Sequence, residues 1–394
     1  MTEPRPYYIT TAIDYANGPP HLGHALEKVG ADAMARYHRL RGDAVHFVMG
    51  MDEHGLKVMQ RAEAAGVSPQ VWVDELAGRF VATWRRLDIS NDDFVRTTEP
   101  RQHRAVAEMI RRIDAAGDFY RGRYEGHYCV GCEAFKRDDE LETGEDGALR
   151  CTIHPNRQIV WTEEENWFFR LSRYQDRLLK LLEERPGFVQ PESRRNEVLR
   201  VIEGGLEDIS VSRARLAWGI PWPDDAGTTV YVWIDALTNY LSATGFPSAG
   251  FEATWPAACH VIGKDITRFH CIFWPAMLMS AELPLPGSVW AHGFVTIGGG
   301  KVSKSEGVRL DLDALIERHG ADAFRYCLLR DVPWHGDGEF SVDRFDDRYA
   351  AELADNFGNL ANRTISMIEH YRGGVVPAGA PTVLDGDAAA ALLH

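Results

Sequence analysis

The clearest hydrophobic pattern lies at the start of the chain. Residues 7–13 are rich in aromatic and β-branched side chains, which predicts a buried strand. The Asn-Gly-Pro-Pro sequence at 17–20 predicts a turn with proline at the entrance of a helix. Beyond it, apolar residues recur with a helical period as far as Gly42. They are Leu22, Leu26, Val29, Ala33, Tyr37 and Leu40. The chain therefore opens with a strand that leads directly into an amphipathic helix.

A second strand is predicted over Ala44–Met49, which is almost continuously apolar and suits a parallel sheet covered on both faces. Asp52 follows it closely, and Asp265 follows the predicted strand His260–Ile262 in the same way. Open α/β sheets bind ligands beyond the carboxyl ends of their strands. Asp52 could instead cap the helix predicted after it. The pattern predicts an α/β fold with its ligand site at this edge of a parallel sheet.

His21 and His24 lie at the start of the first predicted helix. This end of a helix presents backbone N–H groups and the positive pole of the dipole, and so favours anions. Gly23 lets a flat base or ribose approach the backbone. Two histidines at this spacing, taken alone, are more often ordinary surface residues at a helix start. The alternatives are a phosphate site and a plain helix start.

Two lysines, Lys301 and Lys304, follow three consecutive glycines at 298–300. The glycines predict a mobile loop, on which the lysines could reach phosphates as charge is transferred. The loop is not a Walker loop, because Val302 follows Lys301 where Ser or Thr is needed. The alternative is a solvated basic loop.

Composition narrows the class of protein. The 394 residues exceed what one core usually holds, so two to four domains are expected. Apolar content of 45% and charged content of 26% are typical of a soluble globular chain. The sequence has neither a membrane-spanning run nor a signal-peptide pattern, so we expect a cytoplasmic protein with no membrane partner. The net charge of −15 argues against a protein that coats nucleic acid.

Cysteines predict a metal site. Cys129, Cys132, Cys151 and His154 have the spacing C-x2-C-x18-C-x2-H, which matches one tetrahedral structural zinc ion held by two short knuckles. The alternative is an inert cysteine pair with an accidental partner. The other three cysteines lie in apolar segments, where they are most simply buried small hydrophobes. A zinc-knuckle protein that binds nucleic acid would not account for the two phosphate-directed motifs and would be basic.

The His-Leu-Gly-His and Lys-Val-Ser-Lys-Ser sequences, 21–24 and 301–305, resemble the paired signatures of the class I aminoacyl-tRNA synthetases. Valine at 302 replaces another apolar residue in the second signature. Further segments are similar to the methionyl-tRNA synthetase family and run over nearly the whole chain. They are residues 12–18, 50–55, 218–221, 231–236 and 262–265, together with the zinc knuckle.

The resemblance implies a Rossmann-like catalytic core and a methionine-tRNA ligase. Such an enzyme activates L-methionine with ATP and Mg²⁺ and transfers it to the 3′ end of tRNA(Met). It implies that His21 and His24 serve the α-phosphate, and Lys301 and Lys304 the β- and γ-phosphates. The implied ATP-binding residues are Gly23, Glu27, Gly263, Asp265 and Lys304. The implied methionine-binding residues are Ile13, Tyr15, Asp52, Trp233, Ala236, Tyr240, Ile266, His270 and Trp274.

A thioether needs an apolar, polarizable and aromatic slot, which several of these side chains could build. The resemblance implies that the Ile13 N–H and the Tyr240 hydroxyl contact the sulfur, and that Asp52 binds the α-ammonium group. Trp233, Tyr240 and Trp274, taken singly, would be interpreted as core aromatics.

The predicted domain order places the catalytic sheet at 1–115 and 226–295. The zinc-bearing insertion lies at 116–225, and the lysine loop with its supporting helices at 296–350. Residues 351–394 resemble the incomplete start of an anticodon-binding helical bundle, in which Asn359 and Arg363 match anticodon-contacting positions.

Two interpretations account for the short bundle: a fragment, expected to be monomeric, of a longer synthetase, or a shortened paralogue that activates an amino acid without reading an anticodon. We favour the fragment because a helix without packing partners exposes an apolar face. An enzyme for isoleucine, valine or leucine is less consistent, because the insertion is small for an editing domain.

Overall fold

The computed structural model describes residues 4–376 and 379, except 130, 132, 133, 137, 145, 146, 158, 215, 298, 299 and 302–309. It divides into two compact units, Met1–Phe340 and Ser341–His394. The strands are β1 (Pro6–Thr11), β2 (Asp14–Tyr15), β3 (Ala44–Asp52), β4 (Asp93–Arg96), β5 (Phe119–Cys129), β6 (Ala134–Lys136), β7 (Leu141–Thr143), β8 (Leu149–Cys151), β9 (Ile159–Phe169), β10 (Val189–Gln190), β11 (Ile209–Ser210), β12 (Ser212–Arg213), β13 (Pro221–Trp222), β14 (Asp225–Val230), β15 (Cys259–Gly263), β16 (Ser288–His292), β17 (Val295–Ile297), β18 (Gly300–Lys301) and β19 (Gly338–Glu339). The α-helices are α1 (Leu22–Leu40), α2 (Leu56–Ala64), α3 (Pro69–Arg86), α4 (Pro100–Ala115), α5 (Gln175–Glu184), α6 (Glu192–Glu203), α7 (Val232–Ser242), α8 (Trp274–Ser280), α9 (Leu312–His319), α10 (Ala321–Asp331), α11 (Val342–Arg348) and α12 (Asn359–Arg372).

The first unit is built around a parallel sheet with the strand order β10-β16-β15-β1-β3-β2, in which β4 also pairs with β3. β1 is flanked by β3 and by β15, with Ile9 opposite both Phe47 and Cys259. Chain order reverses at β1, so the site predicted beyond the strand ends lies at a topological switch point. The predicted parallel-sheet α/β fold is confirmed.

Helix α1 forms where the apolar period predicted it, but Tyr37 and Leu40 at the end of that period are exposed rather than buried. Its inner face is fully buried at Leu26, Val29 and Ala35, and it ends before Gly42, whose φ of 84° is readily adopted by glycine. At Gly30 the helix packs so closely on Trp334 that an added Cβ would lie 1.8 Å from the indole. Burial of this face fixes α1 against the sheet, and with it the position of the first helical turn.

Antiparallel strand pairs lie between β4 and β15, together with helices α4 to α7. β5 and β9 pair along eleven positions, from Phe119 opposite Phe169 to Cys129 opposite Ile159. β10 lies inside the range 116–225 that we predicted for the insertion, yet it pairs in parallel with β16 of the main sheet. The short strand Val189–Gln190 has too few residues to show an alternating or continuous apolar pattern, so the sequence did not reveal it.

The second unit is helical. Ser341 caps α11 through its hydroxyl, a π-helical segment follows over Tyr349–Gly358, and α12 ends at Gly373 with a φ of 59°. Large apolar side chains along it are more than half exposed. They are Phe357, Leu360, Ile365, Met367 and Tyr371.

Candidate active site

His21 and His24 cap the first turn of α1 reciprocally. Nδ1 of His21 accepts a hydrogen bond from the N–H of Gly23 at 3.1 Å, and Nδ1 of His24 accepts one from the N–H of His21 at 3.2 Å. The rings stack with centroids 3.7 Å apart. His21 is the extended N-cap residue rather than part of the first turn. Two backbone N–H groups at this helix start, those of His21 and Gly23, are therefore already bound by imidazole nitrogens.

The caps fix the tautomer of both rings. A ring nitrogen that accepts from a backbone N–H carries no proton, so a neutral imidazole must carry its proton on Nε2. Nε2 of His24 lies 3.9 Å from Oδ1 of Asp14. The first turn thus presents two imidazole Nε2–H donors, a pattern suited to phosphate oxygens.

Beneath this turn lies a buried cluster of charges centred on Lys28. Its ammonium group donates to the carbonyl of Ala12 at 2.8 Å, to Asp14 at 2.9 Å and to Glu27 at 2.6 Å. The second carboxylate oxygen of Glu27 lies 3.2 Å from Nε2 of His292. Lys28 therefore ties α1 to the segment that leaves β1.

Charge compensation in this cluster outweighs burial. Burial alone would raise the pKa of Glu27, but the Lys28 ammonium and a hydrogen bond from His292 lower it below its usual value. Burial would likewise lower the pKa of Lys28, but Asp14 and Glu27 raise it. Glu27 and Lys28 thus stay ionised, and the cluster holds the carbonyl of Ala12, beside Ile13, in place.

A cavity of about 1350 Å³ opens at the same edge of the sheet. The predicted methionine-binding residues that line it are Ile13, Tyr15, Asp52, Trp233, Ala236, Tyr240, Ile266 and His270. Asp265 lines it as well, whereas His21, Gly23, His24, Glu27 and Gly263 do not.

Tyr240 and His270 form the closed end of the cavity. The Tyr240 hydroxyl lies 2.7 Å from Nε2 of His270, and Nδ1 of His270 lies 3.1 Å from the carbonyl of Ile266. Burial lowers the pKa of His270 to about 4, so the ring is neutral. The carbonyl can only accept, so Nδ1 carries the ring proton and Tyr240 donates its proton to Nε2.

Aromatic rings complete the slot. Trp233 stacks on Phe269 with centroids 3.7 Å apart and planes within 5°. Trp274, also predicted as a wall residue, is fully buried and lies behind Tyr240, with its indole N–H 3.3 Å from Nε2 of His260. It does not line the cavity, and its contact with methionine stays a prediction. From sequence, an apolar aromatic near a slot cannot be assigned to the wall or to the layer behind it.

Asp52 is the last residue of β3 and lines the cavity. Tyr15 of the adjacent strand β2 pairs with Asp52, and the carbonyl of Asp52 accepts a hydrogen bond from the N–H of Ala16 at 2.8 Å. The alternative of a helix cap is excluded, because the N-cap of α2 is Gly55, with a φ of 115°. The carboxylate is thus placed for a cationic group in the cavity.

The turn after β15 places Asp265 at the exposed rim. An added Cβ at Gly263 would lie 2.8 Å from Oδ1 of Asp265, so glycine permits this close approach. The neighbouring Lys264 pairs with Asp337 at 2.6 Å, and Asp337 also accepts from the N–H of Phe294 at 2.7 Å. This pair links the turn to the segment that precedes β17.

Of the predicted lysine loop, the backbone of Lys301 pairs with Thr296 in the sheet β18-β17-β19. The Lys301 side chain and the whole of Lys304 lie outside the described residues.

Three of the four predicted metal ligands lie together. The ligand atoms of Cys129, Cys151 and His154 are all within 4.8 Å of one another, while Cys132 lies outside the described residues. An added Cβ at Gly131 would lie 2.7 Å from His154, which accounts for glycine in this turn. Two thiols and an imidazole at this separation can hold a tetrahedral soft-metal ion.

In the second unit, Asn359 and Arg363 are exposed and lie one turn apart on α12, and Asn359 donates to the carbonyl of Asp355. The side-chain amide and the guanidinium lie on one exposed face, and their N–H groups can donate hydrogen bonds to nucleotide bases.

Sequence reasoning missed several buried polar residues that support the site. They are Lys28, His54, Asp235, His260 and His292. Helical periodicity marks apolar positions and gives no signal for a charged residue buried among charges, and single charged residues are usually solvated.

Comparisons with known proteins agree with the geometry. A family model described as tRNA synthetases class I (M) matches residues 7–365. The methionine–tRNA ligase of Thermotoga maritima is 47% identical over 374 residues, which are 94% of this chain and 59% of that protein. That of Streptomyces coelicolor is 46% identical over 98% of this chain and 72% of its own length. The crystal structure of Mycobacterium tuberculosis methionyl-tRNA synthetase bound by methionyl-adenylate has a TM-score of 0.91 and 45% identity. It covers 99% of this chain, which spans 76% of that one. In the part of the chain that the structure describes, no helix has the length and apolar character needed to cross a membrane.

Proposed function

The chain belongs to the methionyl-tRNA synthetase family of class I, and we propose that it activates L-methionine with ATP and transfers it to tRNA(Met). One arrangement carries the proposal: an aromatic slot with Asp52 on its wall lies at the same sheet edge as the His21–His24 cap. A slot for an apolar side chain and a cationic group, beside donors for phosphate, suits an amino acid that reacts with ATP.

In this proposal the methionine side chain lies among Trp233, Ala236, Tyr240, Ile266 and His270, where aromatic and aliphatic groups suit a polarizable thioether. Asp52 binds the α-ammonium group. The Tyr240 proton is already donated to His270, so the sulfur takes its hydrogen bond from the N–H of Ile13. Tyr15 covers the slot from β2.

ATP then lies along the first turn of α1. The Nε2–H groups of His21 and His24 donate to the α-phosphate, while Gly23 leaves room for the nucleoside. Glu27, Gly263 and Asp265 hold the ribose. Lys301 and Lys304 neutralise the β- and γ-phosphates, and Mg²⁺ supplies further neutralisation while it is held mainly by the phosphates.

The methionine carboxylate attacks the α-phosphorus, and pyrophosphate departs with the bonding electron pair. Catalysis by positioning and by stabilisation of phosphoryl charge requires no protein nucleophile. The terminal ribose hydroxyl of tRNA(Met) then attacks the adenylate carbonyl and releases AMP. Asn359 and Arg363 are proposed anticodon contacts.

The metal is proposed to be a structural zinc ion held by Cys129, Cys132, Cys151 and His154. Two soft thiolates and one imidazole already converge, and a third thiolate would complete a closed tetrahedral set. Such a set leaves no coordination position for substrate.

ATP–pyrophosphate exchange with a panel of amino acids tests the activation step. We expect exchange with methionine and far less with isoleucine, valine or leucine. Exchange that prefers one of these, or no amino-acid-dependent exchange, would overturn the proposal. Charging of full tRNA(Met) against a minihelix that lacks the anticodon then tests the second step, since a shortened paralogue would not prefer the full tRNA.

A further inference from the structure

Two segments singled out in the sequence, residues 50–55 and 231–236, meet at one buried pair. Nδ1 of His54 lies 2.6 Å from Oδ2 of Asp235, and the two side chains are 6% and 2% exposed. Neither side chain lines the cavity. We propose that His54 and Asp235 are positioning residues that set the separation of two walls of the methionine slot, and thereby its selectivity. This inference rests on the proposed function.

Asp235 is held rigidly on its own side. The side-chain amide of Gln102 donates to Oδ1 of Asp235 at 2.9 Å and to its carbonyl at 2.6 Å. Gln102 is oriented in turn by the Ser242 hydroxyl, which donates to it at 2.6 Å. Both carboxylate oxygens of Asp235 therefore have partners, and its side chain has one accessible position between α4 and α7.

The backbone beside His54 and the His54 ring are also held by neighbouring side chains. The N–H of Glu53 donates to the Thr97 hydroxyl at 2.9 Å, and the indole of Trp218 donates to the carbonyl of Glu53 at 2.6 Å. The Trp218 ring also packs edge-on against His54 at 5.5 Å. Both the N–H and the carbonyl of Glu53 are thus hydrogen-bonded to side chains, which fixes the segment between Asp52 and α2.

The pair joins two walls with different tasks. Asp52, the proposed ammonium ligand, lies two residues before His54. Ala236 follows Asp235 directly, and Tyr240 lies further along α7; both line the slot. A shift at the pair would therefore change the distance between the Asp52 carboxylate and the apolar wall. The distance from the α-ammonium group to the side chain of a bound amino acid must match this separation.

Stability alone is a weak reason for this pair. Apolar groups of similar shape can often replace both partners of a buried hydrogen bond with little loss of stability, because the cost of desolvation offsets the attraction. The pair has a geometric role instead: a short hydrogen bond to a carboxylate whose two oxygens both have partners fixes the distance between two segments more sharply than apolar packing does.

The test compares His54→Leu with His54→Asn in the whole chain. Asparagine places an N–H close to the position of Nδ1 and can still donate to Asp235, whereas leucine cannot. In ATP–pyrophosphate exchange we expect His54→Leu to raise the KM for methionine about tenfold, with the KM for ATP within about twofold. Discrimination against leucine should fall as well, and His54→Asn should recover most of both losses.

Arg325→Leu is the matched control, because it breaks another well-buried pair, Arg325–Asp32 at 2.5 Å, that does not line the cavity. It should lower the Tm and leave both KM values unchanged. An unchanged methionine KM in folded His54→Leu, or equal rises in both KM values, would overturn the positioning role while leaving the proposed function intact.

If His54→Leu does not fold, Asp235→Asn tests the same point, because it removes the charge and keeps the shape. It should raise the methionine KM selectively, and an unchanged value would overturn the inference. Absence of methionine-dependent exchange in the unmodified chain would overturn the proposed function and, with it, this role.

Discussion

The imidazole rings of His21 and His24 stack 3.7 Å apart, and each caps a backbone N–H at the start of α1. A histidine can do this and still present a donor, since its two nitrogens lie on opposite sides of the ring. A serine or aspartate that caps a helix uses its side-chain oxygen for the backbone N–H and has no N–H donor on its far side. The pair therefore stabilises the helix start and aims two N–H groups away from it.

Separating these two tasks gives a first prediction. In His24→Asn, the amide oxygen can still accept from the N–H of His21, but no donor remains at the Nε2 position. We expect the unfolding free energy to stay within about 0.5 kcal/mol of the parent. The rate of ATP–pyrophosphate exchange should fall about 100-fold, as when one transition-state donor is lost.

The converse variant, His24→Gln, places an N–H near Nε2 and loses the cap. It should cost about 1 kcal/mol of stability and keep more of the exchange rate than His24→Asn. Equal rates in the two variants would show that the Nε2–H has no part in the reaction.

Lys28→Met should expose the cost of the buried carboxylates. Without the ammonium group, Asp14 and Glu27 are buried charges that lack their main compensation, at a cost on the order of 3–5 kcal/mol near neutral pH. In the parent, the lowered pKa of Glu27 means that its stabilisation is present above its ordinary value of 4.5 and is lost as pH falls through the lowered pKa. In the variant, protonation relieves the penalty, so the difference should shrink toward acid.

Urea unfolding at pH 8 and pH 5 measures this difference. Lys180→Met is the control, because Lys180 is 69% exposed and should change stability by less than about 0.5 kcal/mol. A difference for Lys28→Met that is constant with pH would contradict the proposed charge balance.

The buried imidazole of His270 should make the free energy of unfolding depend on pH. Its pKa is about 4 in the folded protein because of burial, against an ordinary value of 6.5. Between these values the unfolded chain binds a proton that the folded chain does not, so stability falls as pH drops, by about 1.4 kcal/mol per pH unit. From pH 7 to 5 the parent should lose about 2 kcal/mol more than His270→Gln. Denaturant unfolding curves that stay parallel for the two proteins would refute this origin.

Metal removal gives the last prediction. We expect one zinc ion per chain by elemental analysis, and its loss in Cys151→Ser with a lower Tm, because structural zinc contributes to folding free energy. Cys271→Ala is the control, since Cys271 is equally buried but lies outside the ligand cluster and should keep the zinc. Full zinc content in Cys151→Ser would exclude this residue as a ligand.

Features set by local pattern could be predicted. The apolar run Ala44–Met49 predicted β3, and the apolar period that begins at Leu22 predicted α1, because burial of a strand or of one helix face imposes a pattern on neighbouring residues. Asp52 could be placed at a strand end for the same reason. The cysteine spacing predicted that Cys129, Cys151 and His154 lie together, because two short turns that each carry two ligands are typical of a structural metal site.

Features that depend on packing between distant segments could not. Nothing near Trp274 distinguishes a slot wall from the layer behind Tyr240, and nothing near Lys28 shows that Asp14, 14 residues earlier, will accept a hydrogen bond from its ammonium group. The capping role of His21 and His24 escaped prediction because histidine is rarely used as a helix cap.

The neighbours of β1 have a consequence for biosynthesis. Ile9 pairs on one side with Phe47 and on the other with Cys259, so one edge of the central strand has no partner until the ribosome has made most of the chain. At about 5–20 residues per second, that interval is on the order of 10–50 s. An apolar strand edge exposed for so long can pair wrongly, so the nascent chain is expected to need a chaperone until β15 emerges.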